Sequence, residues 1–341
     1  NQNINQKINM ENTKEKKTYV SLKAYYQTLI KHLMSYNKKQ DDIRKKDSTS
    51  GNLAFRFDIP KATLLDLSKH MRKIFKMESN LLKLEAPFYL FGDIHGQFSD
   101  LVRFLEMIFS STKNKKDQRR LIFNGDIVDR GSCSIECLVM LFCLKFCAPN
   151  HIFVLRGNHE SSDINKMYGF YGECIERYGK VDGEEIWKDL NMTLHLLPIC
   201  CTINGSIFCT HGGIPRQPLN SLDDINKINR NVPIGDNGIL CDLMWSDPKT
   251  HKENYMANDR GVSHTFNQTA LNQFMKKHNL FLVCRAHQMV NEGYKFFGGN
   301  KLVTIFSAPN YCGEMGNNGA VMYISTSLEC SFIILKPIKK K

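Results

Sequence analysis

Asp93, His95, Asp126, Asn158, His211 and His287 combine carboxylate, imidazole and amide oxygen, and each stands just beyond a short apolar run. No thiolate is in the set, which argues against a structural zinc of the cysteine type and suits Mn²⁺, Fe or Zn²⁺ in a hydrolytic site. Two such ions held together need a bridging carboxylate. Asp126, on the middle of the first three run ends, is the candidate. Two divalent ions outweigh the two aspartates, and Arg130 and Arg260 add further positive charge. That balance suits a phosphate dianion and a hydroxide. Divalent ions about 3.5–4 Å apart lower the pKa of a shared water and stabilise in-line displacement, while arginine forks hold phosphate oxygens in pairs. His159 directly follows Asn158. It is the candidate general acid for the leaving alkoxide, with Asp129 orienting it. Water then attacks directly, without a covalent phosphoenzyme. Each residue taken alone has a plainer reading, because a strand-end Asp or His often just caps a helix and an aromatic such as Tyr311 often just packs. The coincidence at six run ends favours a site.

Those residues need elements to carry them. Phe88–Phe91 runs into Gly92-Asp93-Ile94-His95-Gly96, and Leu121–Phe123 runs through Asn124 into Gly125-Asp126-Ile127-Val128-Asp129-Arg130-Gly131. His151–Leu155 leads to Arg156-Gly157-Asn158-His159-Glu160, and Ser206–Cys209 to Thr210-His211-Gly212-Gly213. Leu280–Cys284 leads to Arg285-Ala286-His287-Gln288, and Leu302–Phe306 to Ser307-Ala308-Pro309-Asn310-Tyr311-Cys312. Continuous apolar runs of this kind suit strands buried on both faces, under helices. Asp93, Asp126 and Asn158 stand 33 and 32 residues apart, enough for a strand and a crossover helix. Phe98–Phe109 and Ser134–Phe146 supply the helices. The chain therefore reads as α/β, with its ligands beyond the carboxyl ends of the strands.

The 341 residues are 42% hydrophobic and 23% charged, which excludes a largely disordered chain. The longest apolar stretch, near Cys137–Cys147, is broken by Lys145 and is too short to span a bilayer. Net charge is +12, concentrated in residues 1–52, with 11 basic and 5 acidic, and in the four lysines of residues 336–341. Such ends suit nucleic acid, acidic proteins or anionic lipid, or serve as solvated tails. The body lacks a basic stripe with interleaved aromatics, so nucleic acid is not a required partner. Twelve cysteines without CxxC spacing, several inside apolar runs, suit a reducing cytoplasmic or nuclear compartment. The Asn/Lys-rich residues 1–17 are expected to be disordered. Apolar positions 22, 25, 26, 29, 30 and 33 predict an amphipathic helix. Lys38–Asn52 reads as a loop, and Leu64–Phe75 as a second helix. The organisation expected is a basic N-terminal extension over 1–52, a catalytic domain over 53–338 and a basic tail over 339–341.

The first three clusters, together with His211-Gly212-Gly213, Asp259-Arg260-Gly261-Val262-Ser263, Leu243-Met244-Trp245-Ser246-Asp247-Pro248, Arg285-Ala286-His287-Gln288 and Ser307–Glu314, resemble the phosphoprotein phosphatase family of serine/threonine phosphatases. The resemblance covers roughly residues 53–338. Tyr311-Cys312-Gly313-Glu314 and the ending Cys330–Pro337 look most like the type 1 enzymes. The resemblance implies a central β-sandwich of two mixed sheets flanked by helices, the calcineurin-like metallophosphoesterase fold, with two divalent metal ions at its edge (Mn, or Fe and Zn). It implies the roles given above for metal ligands, His159, Asp129, Arg130 and Arg260, adds Asn158 to the phosphate contacts and places Tyr311 beside the substrate. It also implies regulatory subunits that dock Val-x-Phe motifs in a groove at Leu282, Phe296 and Phe332, with Ile207, Met322, Leu328 and Cys330 around it; plain core packing is the alternative. Several positions depart from the family. Asn124 and Ile127 replace an apolar residue and a tyrosine, His264 replaces a phenylalanine, and Met315-Gly316 stands for Phe-Asp. Phe281, Asn291 and Lys295 replace acidic residues, and Ser111–Arg120 looks inserted.

Two other function classes compete with a protein phosphatase. A phosphoesterase acting on nucleotides or small phosphoesters would share the first three clusters but not Ser307–Glu314. A non-enzymatic scaffold would be expected to have lost part of the ligand set, and here the set is complete.

Overall fold

The apolar runs become strands of two sheets that pack face to face, and helices cover both outer sides, in a computed structural model that describes residues 13–46, 56–110 and 119–338. The chain begins with α1 (Thr13–Lys46) and α2 (Lys61–Met77), then runs β1 (Leu81–Leu84), β2 (Phe88–Phe91), α3 (Phe98–Ser110), β3 (Leu121–Phe123), α4 (Ser134–Cys147) and β4 (Ile152–Val154). Next come α5 (Ser162–Asn165), α6 (Phe170–Leu194), β5 (Cys200–Ile203), β6 (Ile207–Thr210), α7 (Gly238–Trp245), β7 (Asp247–Pro248), β8 (Tyr255–Ala257), β9 (His264–Phe266) and α8 (Gln268–Lys277). β10 (Leu282–Arg285), β11 (Tyr294–Phe297), β12 (Leu302–Ile305), β13 (Gly319–Ile324) and β14 (Cys330–Leu335) complete it.

One sheet has the order β14-β13-β2-β3-β4, the other β1-β5-β6-β10-β12-β11, and both mix parallel with antiparallel pairs. The fold expected from the family resemblance is therefore the one found. A third, small sheet, β7-β9-β8, lies beyond α7. Leu90, Ile122, Cys209, Leu282, Val303 and Met322 meet between the two large sheets. Phe91, Phe123 and Val154 face the other way, against α3 and α4. That two-sided burial is why these strands read as unbroken apolar runs rather than alternating ones. α3 buries one stripe, Leu101, Val102, Leu105 and Ile108, whereas α4 is buried nearly all round, as its almost uniformly apolar sequence demands.

The two sheets converge where the parallel strands end. Asp93 forms a parallel bridge with Phe306, just past β2 and β12. A Cβ on Gly92 would lie 2.0 Å from the Ile305 carbonyl oxygen, so only glycine allows that approach. This junction brings strand ends from both sheets to one edge.

The N-terminal helix is longer than its apolar spacing predicts. Tyr26, Leu29 and Leu33 are buried against α4, with Tyr26 edge-to-face on Phe146 at 4.9 Å, but α1 runs on both sides of that segment. Residues 13–17, expected to be disordered, and 38–46, expected to be a loop, are helical. Lysine, glutamine and arginine are good helix formers, and a packed central face extends into them at little cost. Residues 1–12, 47–55, 111–118 and 339–341 lie outside the described residues, so the expectations for the extreme N-terminus, the inserted stretch and the basic tail fall there for the most part.

One ion pair is fully enclosed. Lys145, on the buried helix α4, meets Glu78, just past α2, and also donates to the Pro149 carbonyl oxygen at 2.8 Å. Burial pushes the Lys145 pKa down, against the pull of Glu78. Removing one partner of such a pair strands a charge, whereas removing both does not. Lys145→Met is expected to lower the unfolding free energy by about 3–5 kcal/mol. Adding Glu78→Leu is expected to recover most of the loss, with both effects read from urea midpoints; equal midpoints for single and double variants would refute this.

Candidate active site

Each strand end delivers its residues to the junction. Past β2 come Asp93 and His95, past β3 Asp126, Asp129 and Arg130, and past β4 Asn158 and His159. From the facing sheet come His211, past β6, and His287, past β10. All except Arg130 are buried. His95, Asp126, Asp129, Arg130 and His287 have positive φ, an uncommon and strained conformation for residues with a Cβ. The strain is held by hydrogen bonds between the strand ends, such as the His287 N–H donating to Asp93 Oδ1 at 2.8 Å.

The ring nitrogens are sorted by their partners. His211 Nδ1 lies 2.8 Å from the Asn124 carbonyl oxygen and His95 Nδ1 lies 2.9 Å from that of Val128. A carbonyl only accepts, so both Nδ1 atoms carry a proton, and Nε2 is the nitrogen left to face the centre. His211 Nε2 then faces Asn158 Oδ1 at 2.8 Å, His287 Nδ1 at 3.2 Å and Asp126 Oδ1 at 3.3 Å. His95 Nε2 faces Asp126 Oδ2 at 3.5 Å and Asp93 Oδ2 at 3.7 Å. Lone pairs thus converge on lone pairs at two places that share Asp126, and the groups His95–Asp126–His159 and Asp126–His211–His287 each bring their ligand atoms within 4.8 Å of one another. Such crowding is stable only around positive charge. The oxygen and nitrogen donors suit divalent cations, and the six predicted ligands fit a pair of them around Asp126.

Electrostatics agrees. Burial and then the Asp126 carboxylate raise the pKa of Asp93. Asp126 is held well below the carboxylate range; burial opposes this, but His211 and His159 outweigh it. Burial lowers His95 to about 3 and takes His287 well below the usual imidazole range, which leaves both rings neutral and able to ligate. His211 goes the other way, to about 8, because Asp126 overcomes the effect of burial; that proton sits on Nε2, and a cation bound there would take its place.

His159 stands apart from the other histidines. Its Nδ1 is 2.6 Å from Asp129 Oδ2, while Asp129 Oδ1 accepts the Phe170 N–H at 2.9 Å. The ring is therefore fixed with Nε2 toward the centre, 3.9 Å from Asp126 Oδ2. Its pKa is raised; burial works against this, and Asp126 and Asp129 prevail. Arg130 lies over the Tyr168 ring at 4.3 Å. Arg260 donates to Asp247 Oδ2 at 2.7 Å, and Asp247 Oδ1 accepts from the buried Arg285 at 2.8 Å. Tyr311 is half-buried, its ring 5.2 Å from that of His95.

The sequence reading missed the residues that hold this set in place. Glu160 takes N–H groups of Gly157 and Asp126 on one oxygen, at 2.9 and 2.8 Å, and of Ile127 on the other at 2.9 Å. A carboxylate two residues past a proposed ligand was the available signal. Asp247, in the Trp-Ser-Asp-Pro stretch, gave none, since only the fold brings β7 beneath Arg260. His264 is buried between Asp242 and the Ile214 carbonyl oxygen, so that departure is absorbed locally. Of the groove residues, Phe332 stacks on Tyr294 at 3.9 Å and meets Phe296 edge-on at 6.1 Å, with Phe296 40% exposed. Leu282 is buried in the core cluster between the sheets that Tyr294 and Phe332 pack against; Ile207 and Met322 are wholly buried there and present no surface.

The calcineurin-like phosphoesterase family matches residues 86–291. Among solved structures, the chain is similar to a Saccharomyces cerevisiae protein serine/threonine phosphatase described as similar to human phosphatase PP5. Identity is 30% over 82% of this chain and 91% of that one, with a TM-score of 0.74. A mutant cold-active protein tyrosine phosphatase matches at 16% identity over 76% of this chain and 84% of its own, TM-score 0.55. The cold-active protein-tyrosine phosphatase of a psychrophilic Shewanella matches at 15% identity over the same shares, TM-score 0.50. At those identities the last two share the fold alone.

Glu160→Gln replaces an acceptor by an NH₂ that faces N–H donors. It is expected to weaken Mn²⁺ binding about 10- to 100-fold, measured by calorimetric titration; wild-type affinity in the variant would remove Glu160 from the centre's support.

Proposed function

The chain belongs to the calcineurin-like phosphoesterase family, and we propose that within it the protein is a metal-dependent serine/threonine phosphatase that hydrolyses phosphoserine and phosphothreonine in one step. The observation that carries this reading is the His159–Asp129 pair beside the carboxylate shared by the two candidate cation places. It puts a proton donor where a leaving group needs one. When bound, two divalent cations supply Lewis acidity and make water nucleophilic at neutral pH. Arg130 and Arg260 hold the phosphate oxygens, with Asn158 and Tyr311 alongside. Arg130 is steadied on Tyr168 and Arg260 by Asp247. His159 gives its Nε2 proton to the seryl or threonyl oxygen as the P–O bond breaks, and Asp129 stabilises the imidazolium beforehand. The choice of serine and threonine follows the similarity to the yeast enzyme.

Direction by other subunits belongs to the same proposal. β14 pairs only with β13 among the described strands, so its outer edge is free to add an extended peptide. Phe332, on that edge strand, and Phe296 beside it form an apolar surface suited to the apolar residues of a Val-x-Phe segment. All twelve cysteines are unpaired, which supports the cytoplasm or nucleus as the place of action.

Turnover of a phosphoserine or phosphothreonine peptide is expected with Mn²⁺ and to vanish with chelator. His159→Ala is expected to lower kcat about 10²- to 10⁴-fold with metal still bound. Faster turnover of phosphotyrosine or of a nucleotide would move the substrate class, and no turnover by a metal-loaded wild type would favour a scaffold. In a separate pull-down, an immobilised Val-x-Phe peptide should retain the wild type and lose Phe296→Ala; equal retention would sink the docking surface.

A further inference from the structure

A polar residue closes β3, where the strand is otherwise apolar. Asn124 is 1% exposed, and three of its groups are committed. Its N–H donates to the Phe91 carbonyl oxygen at 3.0 Å, within its own sheet. Its carbonyl oxygen accepts the His211 ring Nδ1–H at 2.8 Å, and its side-chain Nδ2 donates to the Thr210 carbonyl oxygen at 2.7 Å. The last two bonds cross to the end of β6 in the facing sheet. Its Oδ1 has no partner among the described residues. A buried acceptor left unpaired is costly, and an apolar side chain of similar size would avoid that cost. The amide is kept where the resemblance leads one to expect an apolar residue.

We propose that Asn124 is a positioning residue for His211, and through it for one of the two cation places. Thr210 and His211 are consecutive. The side chain of Asn124 grips the peptide just before the histidine, while its backbone carbonyl accepts from ring Nδ1. That two-point hold fixes the tautomer and the rotation of the imidazole, and it keeps Nε2 aimed at Asn158 and His287. Partners behind a ligating histidine tune affinity through its orientation and basicity. An apolar side chain would leave the carbonyl-to-ring bond intact and release Thr210, so the side chain's contribution is separable. The inference rests on the reading of the site as a two-cation centre.

The test is Co²⁺ titration of the full chain, followed by calorimetry and by the visible absorption of bound Co²⁺, on wild type, Asn124→Leu, His211→Gln and the double variant. Wild type should bind two ions. Asn124→Leu should weaken one of them about tenfold or more and shift its visible band, and leave the other within about twofold. In the His211→Gln background, Asn124→Leu should change Co²⁺ binding no further, because no imidazole is left to position. Asn124→Ala adds no atoms and runs the same comparison should leucine not fold. Two ions bound with wild-type affinity by the Asn124 variants would overturn the inference while leaving the metal centre standing. So would an equal loss at both places, or a further loss without His211. A wild type that binds no Co²⁺ would overturn the centre and the inference together.

Discussion

Lone pairs converge on lone pairs at the heart of this protein, in a place nearly closed to water. Asp93, Asp126, Asn158 and the imidazoles of His95, His211 and His287 point acceptors at one another over a few ångströms. In a low-dielectric setting such an arrangement repels itself unless cations fill it. The opposite pKa directions of Asp93 and Asp126 express the same conflict, one carboxylate driven toward its acid and the other held as the anion. Much of the fold serves to hold these groups together against that repulsion.

The means is a junction between two sheets. Gly92 lets the ends of β2 and β12 approach to a distance no side chain permits, and the strand ends are then tied across the gap. Asp93 accepts from His287, Asn124 grips both sides of His211, and Glu160 gathers the turns that follow β3 and β4. These bonds over-determine the backbone. That is why five site residues with side chains sit at positive φ without the turns relaxing. The helices stand further off: α4 fills the space behind β3 and β4, and α1 covers α4 from outside through Tyr26, Leu29 and Leu33.

Legibility in the sequence followed the physics of each element. Strands buried on both faces must be apolar throughout, so β2, β3, β4, β6, β10 and β12 were visible as runs, and the polar residues that ended them were visible as a site. α1 was read too short because only its middle packs; the polar ends are held by helix propagation, which leaves no apolar signature. Glu160 and Asp247 were overlooked because their work is hydrogen bonding to groups that the chain brings near only on folding. The groove residues divided by exposure, a property with no sequence signal: Phe296 reaches solvent, whereas Ile207 and Met322 do not.

The amino-acid sequence by itself determined the donor types, the run-and-cluster rhythm that makes an α/β protein, and the family these resemble, because residue chemistry and strand burial are local properties. Only the tertiary structure decided which nitrogen of His95 and of His211 faces the centre, that His159 is turned by Asp129 into it, and that Asn124 faces His211 from the other sheet. Those depend on two sheets meeting edge to edge, and distances between strands remote in sequence are settled by packing alone.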